Sequence, residues 1–243
     1  MAALRYRIGT AGWAIPRAVA ERFPAEGSGL QRYAARFAAA EINSTFYRPH
    51  RASTFERWRE TTPAGFRFAV KAPRAMTHAA KLKGCGTALA TFLGEVSELG
   101  DKLGPLLVQL PPSLAFEAAV AGDFFAELRR RWDASVVCEP RHVSWFEDEA
   151  DALLTAHRVA RAAADPARHP RAAEPGGWPG LAYWRMHGSP RMYYSSYEPA
   201  RLAALAQAMA AHPAPEVWAI FDNTTSGAAA ANALDLQADL VRA

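Results

Sequence analysis

The sequence predicts an α/β protein, a single (β/α)8 TIM barrel over residues 1–243. Three observations predict it. Short β-branched or aromatic runs alternate with helical patterns along the chain, as parallel sheets require. The repeat is close to the roughly 30 residues of one βαβ unit. Eight such units occupy about 250 residues in barrels of this kind, and the chain has 243. A doubly wound open sheet is the alternative. It would carry a phosphate loop after the first strand, and Gly9-Thr10-Ala11-Gly12-Trp13 fits neither the dinucleotide nor the P-loop pattern.

Arg5 to Gly9 reads as the first strand, and Leu30 to Ala38 as an amphipathic helix with Tyr33 and Phe37 on one face. Ala40 to Asn43 is the second strand, and the helix from Ala52 to Thr61 stops before Pro63. Phe66 to Lys71 alternates as the third strand, followed by a helix from Leu89 to Leu99. Leu106 to Leu110 is the fourth, ended by Pro111-Pro112, with Phe116 to Arg131 helical behind it. The β-branched run Ser135 to Cys138 is the fifth, and Glu147 to Ala156 its helix. Arg158 to Ala164 is a weak sixth strand in which Arg161 interrupts an alanine run. Residues 166–180 are too rich in proline and glycine for a full helix, so a loop is expected in its place. Leu181 to His187 and Val217 to Phe221 are the last strands; Arg201 to Ala211 and Gly227 to Val241 are the last helices.

Composition narrows the classes. Hydrophobic residues make up 50% and charged residues 21%, ordinary for a globular chain with a sizeable core. The net charge of +4 and a pI near 9.3 suit an anionic ligand without singling one out. Cys85 and Cys138 form neither a C-x-x-C pair nor a metal spacing, so two reduced thiols in a cytoplasmic protein are expected. Met1 to Arg5 lead straight into a strand, so no signal peptide is expected. No apolar run approaches the roughly 18 residues of a membrane helix, so no membrane partner is expected.

The informative pattern is where the polar residues fall. Glu41 and Asn43 end the second strand, Lys71 the third, Gln109 the fourth, and Glu139 and Arg141 the fifth. Asp165 ends the sixth, Arg185 and His187 the seventh, and Asp222 and Asn223 the eighth. Strand side chains alternate with period two, so Glu41 and Asn43 share a face, as do Glu139 and Arg141, and Arg185 and His187. Ile42, Trp184 and Met186 then suit the helix-facing side. The stretch Glu139-Pro140-Arg141-His142-Val143-Ser144-Trp145 concentrates groups that no strand needs in order to fold.

Several of these segments together resemble one family. They are Gly9-Thr10-Ala11-Gly12-Trp13, Glu41-Ile42-Asn43-Ser44-Thr45-Phe46-Tyr47-Arg48, Lys71 with Thr77-His78, and Gln109-Leu110-Pro111-Pro112-Ser113. Glu139-Pro140-Arg141-His142, Arg185-Met186-His187-Gly188, and Phe221-Asp222-Asn223-Thr224 with Gly227 and Asn232 complete the set. In order and over nearly the whole chain, they resemble the YecE-like barrel family, or domain of unknown function seventy-two (DUF72). The resemblance implies a (β/α)8 fold and no settled reaction. Its loose grouping with sugar-isomerase-like barrels is an analogy of fold.

Residues at the C-terminal end of such a barrel serve function. Glu41 and Glu139 are expected as a general acid and base, one with a raised pKa, and Lys71 as a third catalytic group. Arg141, Arg185 and Lys71 suit an anion. Trp13, Asn43, Tyr47, His78, Gln109, His142, His187, Tyr194, Asp222 and Asn223 are expected to line the ligand, with Tyr193 to Tyr197 as a lid. Phe46 and Trp145 are expected to pack the loops instead. A Lys71 Schiff base would need a depressed pKa, which neighbouring carboxylates would oppose. A divalent metal on Glu41, Glu139, Asp165, His187 and Asp222 is disfavoured by the three cations in the same layer, and no cofactor motif is visible. The favoured expectation is an isomerase- or lyase-like enzyme for a small polar or anionic carbohydrate-like ligand. The first rival is a nucleic-acid binder or repair-type nuclease, drawing on Arg17, Arg22, Arg48, Arg51, Arg74, Lys81, Lys83, Arg168, Arg171 and Arg191. The second is a binding module without turnover.

Overall fold

A computed structural model describes residues 5–242. The expectation about a leader, which rests mainly on residues 1–4, lies outside the described residues. The strands are β1 (Tyr6–Thr10), β2 (Ala39–Ile42), β3 (Arg67–Lys71), β4 (Leu103–Gln109) and β5 (Val136–Glu139). They continue as β6 (Val159–Arg161), β7 (Ala163–Asp165), β8 (Gly176–Gly177), β9 (Leu181–Met186) and β10 (Glu216–Phe221). The helices are α1 (Gly29–Ala34), α2 (Ala52–Thr61), α3 (Gly86–Val96), α4 (Ala118–Arg131), α5 (Asp148–Ala156), α6 (Pro199–Ala211) and α7 (Ala228–Arg242).

The architecture is α/β, with helices between parallel strands. The strands form two sheets, ordered β1-β10-β9-β7 and β2-β3-β4-β5-β6-β8. All neighbours are parallel except β6 and β8. The hydrogen-bonded ladders therefore do not run round as the one closed ring expected from the sequence. The expected sixth strand divides at Ala162, its first half pairing with β5 and its second with β9.

At the other junction, a side chain replaces the ladder. The Tyr33 hydroxyl accepts from Thr10 N (2.8 Å) and donates to Ala39 O (3.0 Å), bridging β1 to β2. Just beyond it Gly12 N donates to Glu41 O (2.8 Å), and Ala11 bridges to Glu41. Tyr33 is fully buried, and Ser28 and Gln31 fix its helix by a reciprocal capping box.

Alternate strand residues sort into two apolar layers. A small inner cluster joins Ala39, Ala69, Leu107, Val137, Ala160, Leu181, Tyr183, Trp218 and Ile220, drawn from both sheets. The larger outer cluster joins Ile42, Val70, Val108, Cys138, Trp184 and Phe221 to the helices. The expected loss of a helix after the sixth strand is visible as a single 3-10 turn, Pro170–Ala173, and the two-residue β8. Arg161 fastens this substitute. It is 3% exposed, pairs with Asp151 (2.8 Å), donates to Arg171 O (2.7 Å) and lies over the Phe146 ring. A Cβ on Gly176 would come within 2.2 Å of that guanidinium, so a side chain there would displace the Arg161 head from these partners.

The β1–β2 junction is the tightest backbone approach. A Cβ on Gly9 would stand 2.0 Å from Ala39 O and 3.0 Å from the Tyr33 hydroxyl. Gly9→Ala is expected to destabilise the fold by about 1–3 kcal/mol or more through overpacking. Tyr33→Phe, which strips the buried Thr10 N of its partner, should cost about 1–3 kcal/mol. Denaturant melts of both variants check this; a wild-type midpoint would show that the junction carries no such strain.

Candidate functional site

In β9, alternation carries Tyr183, Arg185 and His187 to the inner side while Trp184 and Met186 join the helix-side core. Arg185 is 0% exposed. Its Nε and Nη2 donate to the two oxygens of Glu41 at 3.0 and 2.6 Å, a forked pair. Its Nη1 donates to Glu139 Oε2 at 2.6 Å, and Nη2 also reaches Asp222 Oδ2 at 3.2 Å. Three strand ends thus converge on one guanidinium.

Other side chains complete the cage. The Tyr183 hydroxyl donates to Glu41 Oε2 (3.1 Å), and Gln109 Nε2 to Glu139 Oε2 (3.0 Å). Arg141 reaches Glu139 Oε1 through Nε and Nη2, both at 3.2 Å. His187 stands between Glu139 Oε1 (3.0 Å) and Asp222 Oδ2 (3.1 Å). Burial alone would raise the Glu139 pKa, but Arg185, His187 and Arg141 overcome it and hold the carboxyl well below its usual range. Asp222 is likewise lowered, with Arg185 and His187 outweighing burial. The sequence expects one raised carboxylate; Glu139 is shifted in the opposite direction, because guanidinium groups occupy both its oxygens.

Lys71 differs from these. It is 5% exposed, yet its ammonium makes no hydrogen bond or ion pair among the described residues, and Nζ lies over the Phe46 ring at 4.2 Å. Burial and then Arg185 push its pKa down to about 8, against the smaller opposing pull of Glu41, Glu139 and Asp222. Those carboxylates oppose the depression, as the sequence leads one to expect, but they do not prevent it. They are already bonded to Arg185, and desolvation wins. His78 stands edge-on to the same Phe46 ring, centroids 5.0 Å apart, with Nδ1 on Thr77 Oγ1 (2.9 Å). Burial, with Lys71, Arg74 and Arg141, lowers its pKa.

The remaining expected residues divide. Asn43 follows Glu41 by two, and its Oδ1 is buried without a partner. His142 accepts from Ser144 N and bonds Ser144 Oγ (2.9 Å), so it caps the turn Val143–Phe146 rather than facing the cage. Trp13 packs edge-on against Trp58 and Phe68 at 5.0 and 6.1 Å, partly buried against the helix-side core. Tyr47 is 70% exposed. Asn223 points away from Asp222's side and donates to Ser195 O and Asn232 Oδ1, both at 2.9 Å. Tyr194 lies outside, under the Arg191 guanidinium. Its neighbour Tyr193 faces the cage, with its ring 5.8 Å from His187. A positive φ of 69° at Tyr193 turns the adjacent tyrosines to different sides. Sequence reasoning missed Tyr183, although its spacing of two from Arg185 places it on the same face.

The tyrosine-rich loop is tied down at several points. Tyr197 OH accepts from Gly188 N (2.8 Å) and donates to Asp165, and Asn232 Oδ1 accepts from Tyr197 N (3.1 Å). Ser226 and Thr225 bond the carbonyls of Tyr194 and Tyr193. Beside Glu139, Arg141 and His187 remains a cavity of only about 10 Å³, also reached by Phe146 and Pro166. A wider one of about 300 Å³ lies beyond Phe46, lined by Tyr47, Arg48, Pro73, Arg74 and Phe92. Among the described residues, no three His, Cys, Asp or Glu side chains are grouped to hold a metal. The donors at the strand ends, Glu41, Glu139, Asp222 and His187, are turned onto Arg185 or onto one another.

Parallel strands with helices between them, and charged side chains gathered where several strands end, define an α/β protein with a buried ionic centre. The profile of the family described as "Protein of unknown function DUF72" matches residues 7–243. The chain belongs to this DUF72 family. It is 34% identical over 120 residues to the UPF0759 protein YecE of Escherichia coli K12, a match covering 49% of this chain and 43% of that protein. The chain thus spans less than half the length of the curated relative it matches. Two solved DUF72 structures share the fold. One from Enterococcus faecalis V583 is 20% identical, with a TM-score of 0.81 over 97% of this chain and 95% of that one. One from Thermotoga maritima MSB8 is 24% identical, with a TM-score of 0.80 over 98% and 100%. No helix of the described residues is long and apolar enough to cross a membrane.

Removing Arg185 would leave buried carboxylates without counter-charge. Arg185→Met is expected to cost about 3–5 kcal/mol at pH 7. Because Glu139 and Asp222 have lowered pKa values when folded, wild-type stability should be complete above about pH 5 and fall as pH drops through the unfolded values near 4. In Arg185→Met the freed carboxylates take up protons more readily, so its deficit should shrink between pH 7 and 5. Urea melts across pH check both signs; a deficit independent of pH would mean that the cage does not act through charge.

Proposed function

We propose that the two sheets close into one (β/α)8 barrel forming a single domain, and that its strand ends are the site of an enzyme. Closure is supported by the Tyr33 bridge, by the single residue separating β6 from β7, and by an inner cluster drawn from both sheets. The enzyme acts on a small polar or anionic, carbohydrate-like ligand by isomerase- or lyase-like chemistry. Both reaction types begin with a proton moving next to an oxygen-bearing carbon.

The observation that carries this reading is Lys71: a buried, unpartnered amine whose pKa of about 8 lies near the operating pH. A structural lysine would have been given polar partners, as Lys102 is by Arg59 O and Thr62 O, and three carboxylates stand close to Lys71. Arg185 takes them instead. Glu41 and Glu139 therefore act as the fixed counter-charges of Arg185, and Lys71 carries the proton. Arg141, with its side chain 16% exposed, is the cation best placed to meet an anionic group from outside. His78, Tyr193 and Asn43 offer polar contacts around the same opening. No cofactor enters this scheme. The nucleic-acid alternative draws mainly on outer-loop cations, since the fully buried Arg185 is committed to Glu41 and Glu139. The buried free thiols Cys85 and Cys138 support a reducing, cytoplasmic setting.

Substituting Lys71 separates function from stability. Since burial disfavours its charge, Lys71→Met should keep or raise the melting temperature at pH 7. It should also abolish the stabilisation by any sugar phosphate or sugar acid that protects the wild type in a thermal-shift screen. A melting temperature several degrees lower, with ligand protection retained, would make Lys71 structural and remove the basis of the enzyme reading.

A further inference from the structure

We propose that Lys71 condenses with the carbonyl carbon of a small anionic aldehyde or keto acid, forming a Schiff base. This rests on the reading of Lys71 as the reactive group of the strand-end site and goes beyond it: the amine bonds to its substrate rather than only exchanging a proton with it.

The lysines of the chain are Lys71, Lys81, Lys83 and Lys102. They differ in what holds the nitrogen. Lys102 is buried but donates to Thr62 O and Arg59 O, the latter at 3.2 Å, so its amine is consumed by the fold. Lys83 pairs with Glu117 at 3.5 Å on the surface, and Lys81 is exposed. Lys71 alone is both nine-tenths buried and without a polar partner among the described residues. Its backbone is fixed, since Thr45 Oγ1 donates to Lys71 O at 2.7 Å and β3 pairs on both sides. Phe46 shields one side of the nitrogen at 4.2 Å. The amine is therefore held in a largely buried position, without a protein acceptor that would hold its proton. Those are the conditions under which a lysine attacks a carbonyl.

A merely electrostatic role explains these facts less well. An ammonium kept to hold an anion gains nothing from a setting that pushes its proton off. Arg141 supplies a permanent charge for that purpose, and arginine does not lose its proton under ordinary conditions. The pairing of one permanent cation with one dischargeable amine suits a ligand with an anionic group and a carbonyl.

The step balances without an oxidant or reductant. The Lys71 ammonium gives one proton to water, and the freed lone pair forms the C–N bond as the carbonyl π pair moves to oxygen. That oxygen takes one proton from the amine and recovers the first, then leaves as water while the nitrogen pair forms C=N. The sum is ammonium plus carbonyl giving iminium plus water. The iminium then acidifies the neighbouring C–H, which is the requirement of isomerase and lyase chemistry.

Trapping tests this directly. The full chain is incubated with pyruvate or glycolaldehyde phosphate and sodium cyanoborohydride at pH 7.5, then mapped by mass spectrometry. At that pH, Lys71 has about two orders of magnitude more neutral amine than a lysine of ordinary pKa near 10.4. A reduced adduct should form on Lys71 at least about tenfold faster than on Lys81 or Lys83, and faster with the anionic carbonyls than with uncharged glycolaldehyde. Lys71→Arg, which keeps the charge, should lose that adduct while melting as a folded protein. Equal labelling of Lys81 and Lys83, or none at Lys71, overturns the proposal. If ligands still protect the wild type but not Lys71→Met, an absent adduct removes the covalent step and leaves proton transfer standing. If no ligand gives Lys71-dependent protection either, both fall together.

Discussion

The Arg185 guanidinium lies in the interior with no access to solvent, held by Glu41 from β2, Glu139 from β5 and Asp222 from the end of β10. Taking four charged groups out of water is costly, and their mutual attraction offsets that cost only where geometry is good and the remaining lone pairs are satisfied. Tyr183, Gln109, Arg141 and His187 supply those remaining contacts. The arrangement is therefore all-or-none. Each strand end must arrive in register, because one absent partner leaves a buried charge exposed to a low-dielectric interior. Such a cage specifies which strand ends meet more than it adds to stability.

The same constraint shapes the chemistry available. Carboxylates bonded to a guanidinium stay ionised and are poor proton donors, so the acidic residues that look catalytic in a sequence are the least free to react. The cage also leaves Lys71 in a desolvated position with its natural counter-ions already committed. The reactivity proposed for Lys71 would be a by-product of how the charges are shared out. The Tyr193 loop and the Phe46–His78 pair then set what can approach, and both are anchored: the loop by Asn232 and Tyr197, the ring pair by Thr77.

Much of this was legible in the sequence. The strands and helices fall near their expected places because alternation and helical periodicity are local signals, punctuated by prolines and glycines. The position of Glu41, Gln109, Glu139, Arg141, Arg185, His187 and Asp222 at strand ends followed from the period of two. Errors arose where a side chain's direction depends on something other than that period. Asn223 lies one residue past Asp222 and so turns to the helix layer, where it bonds Asn232. Tyr193 and Tyr194 were not separable until the positive φ of one was known. Trp13, expected to line a ligand, packs partly buried against Trp58. Tyr33 and Tyr183 were read as apolar filling or passed over, although each uses its hydroxyl to join elements distant in sequence.

By itself the sequence determined the order and type of elements, the face on which each polar residue emerges, and membership in the DUF72 family. These depend on residues close together in the chain. Only the tertiary structure decided which carboxylate met which cation, and therefore which group was left without a partner. The physical reason is that Coulomb attraction and desolvation depend on distance through space and on burial. Glu41 and Arg185 are 144 residues apart in the chain and 2.6 Å apart in the molecule. Nothing in the spacing of either could have said that Arg185, and not Lys71, would hold that carboxylate.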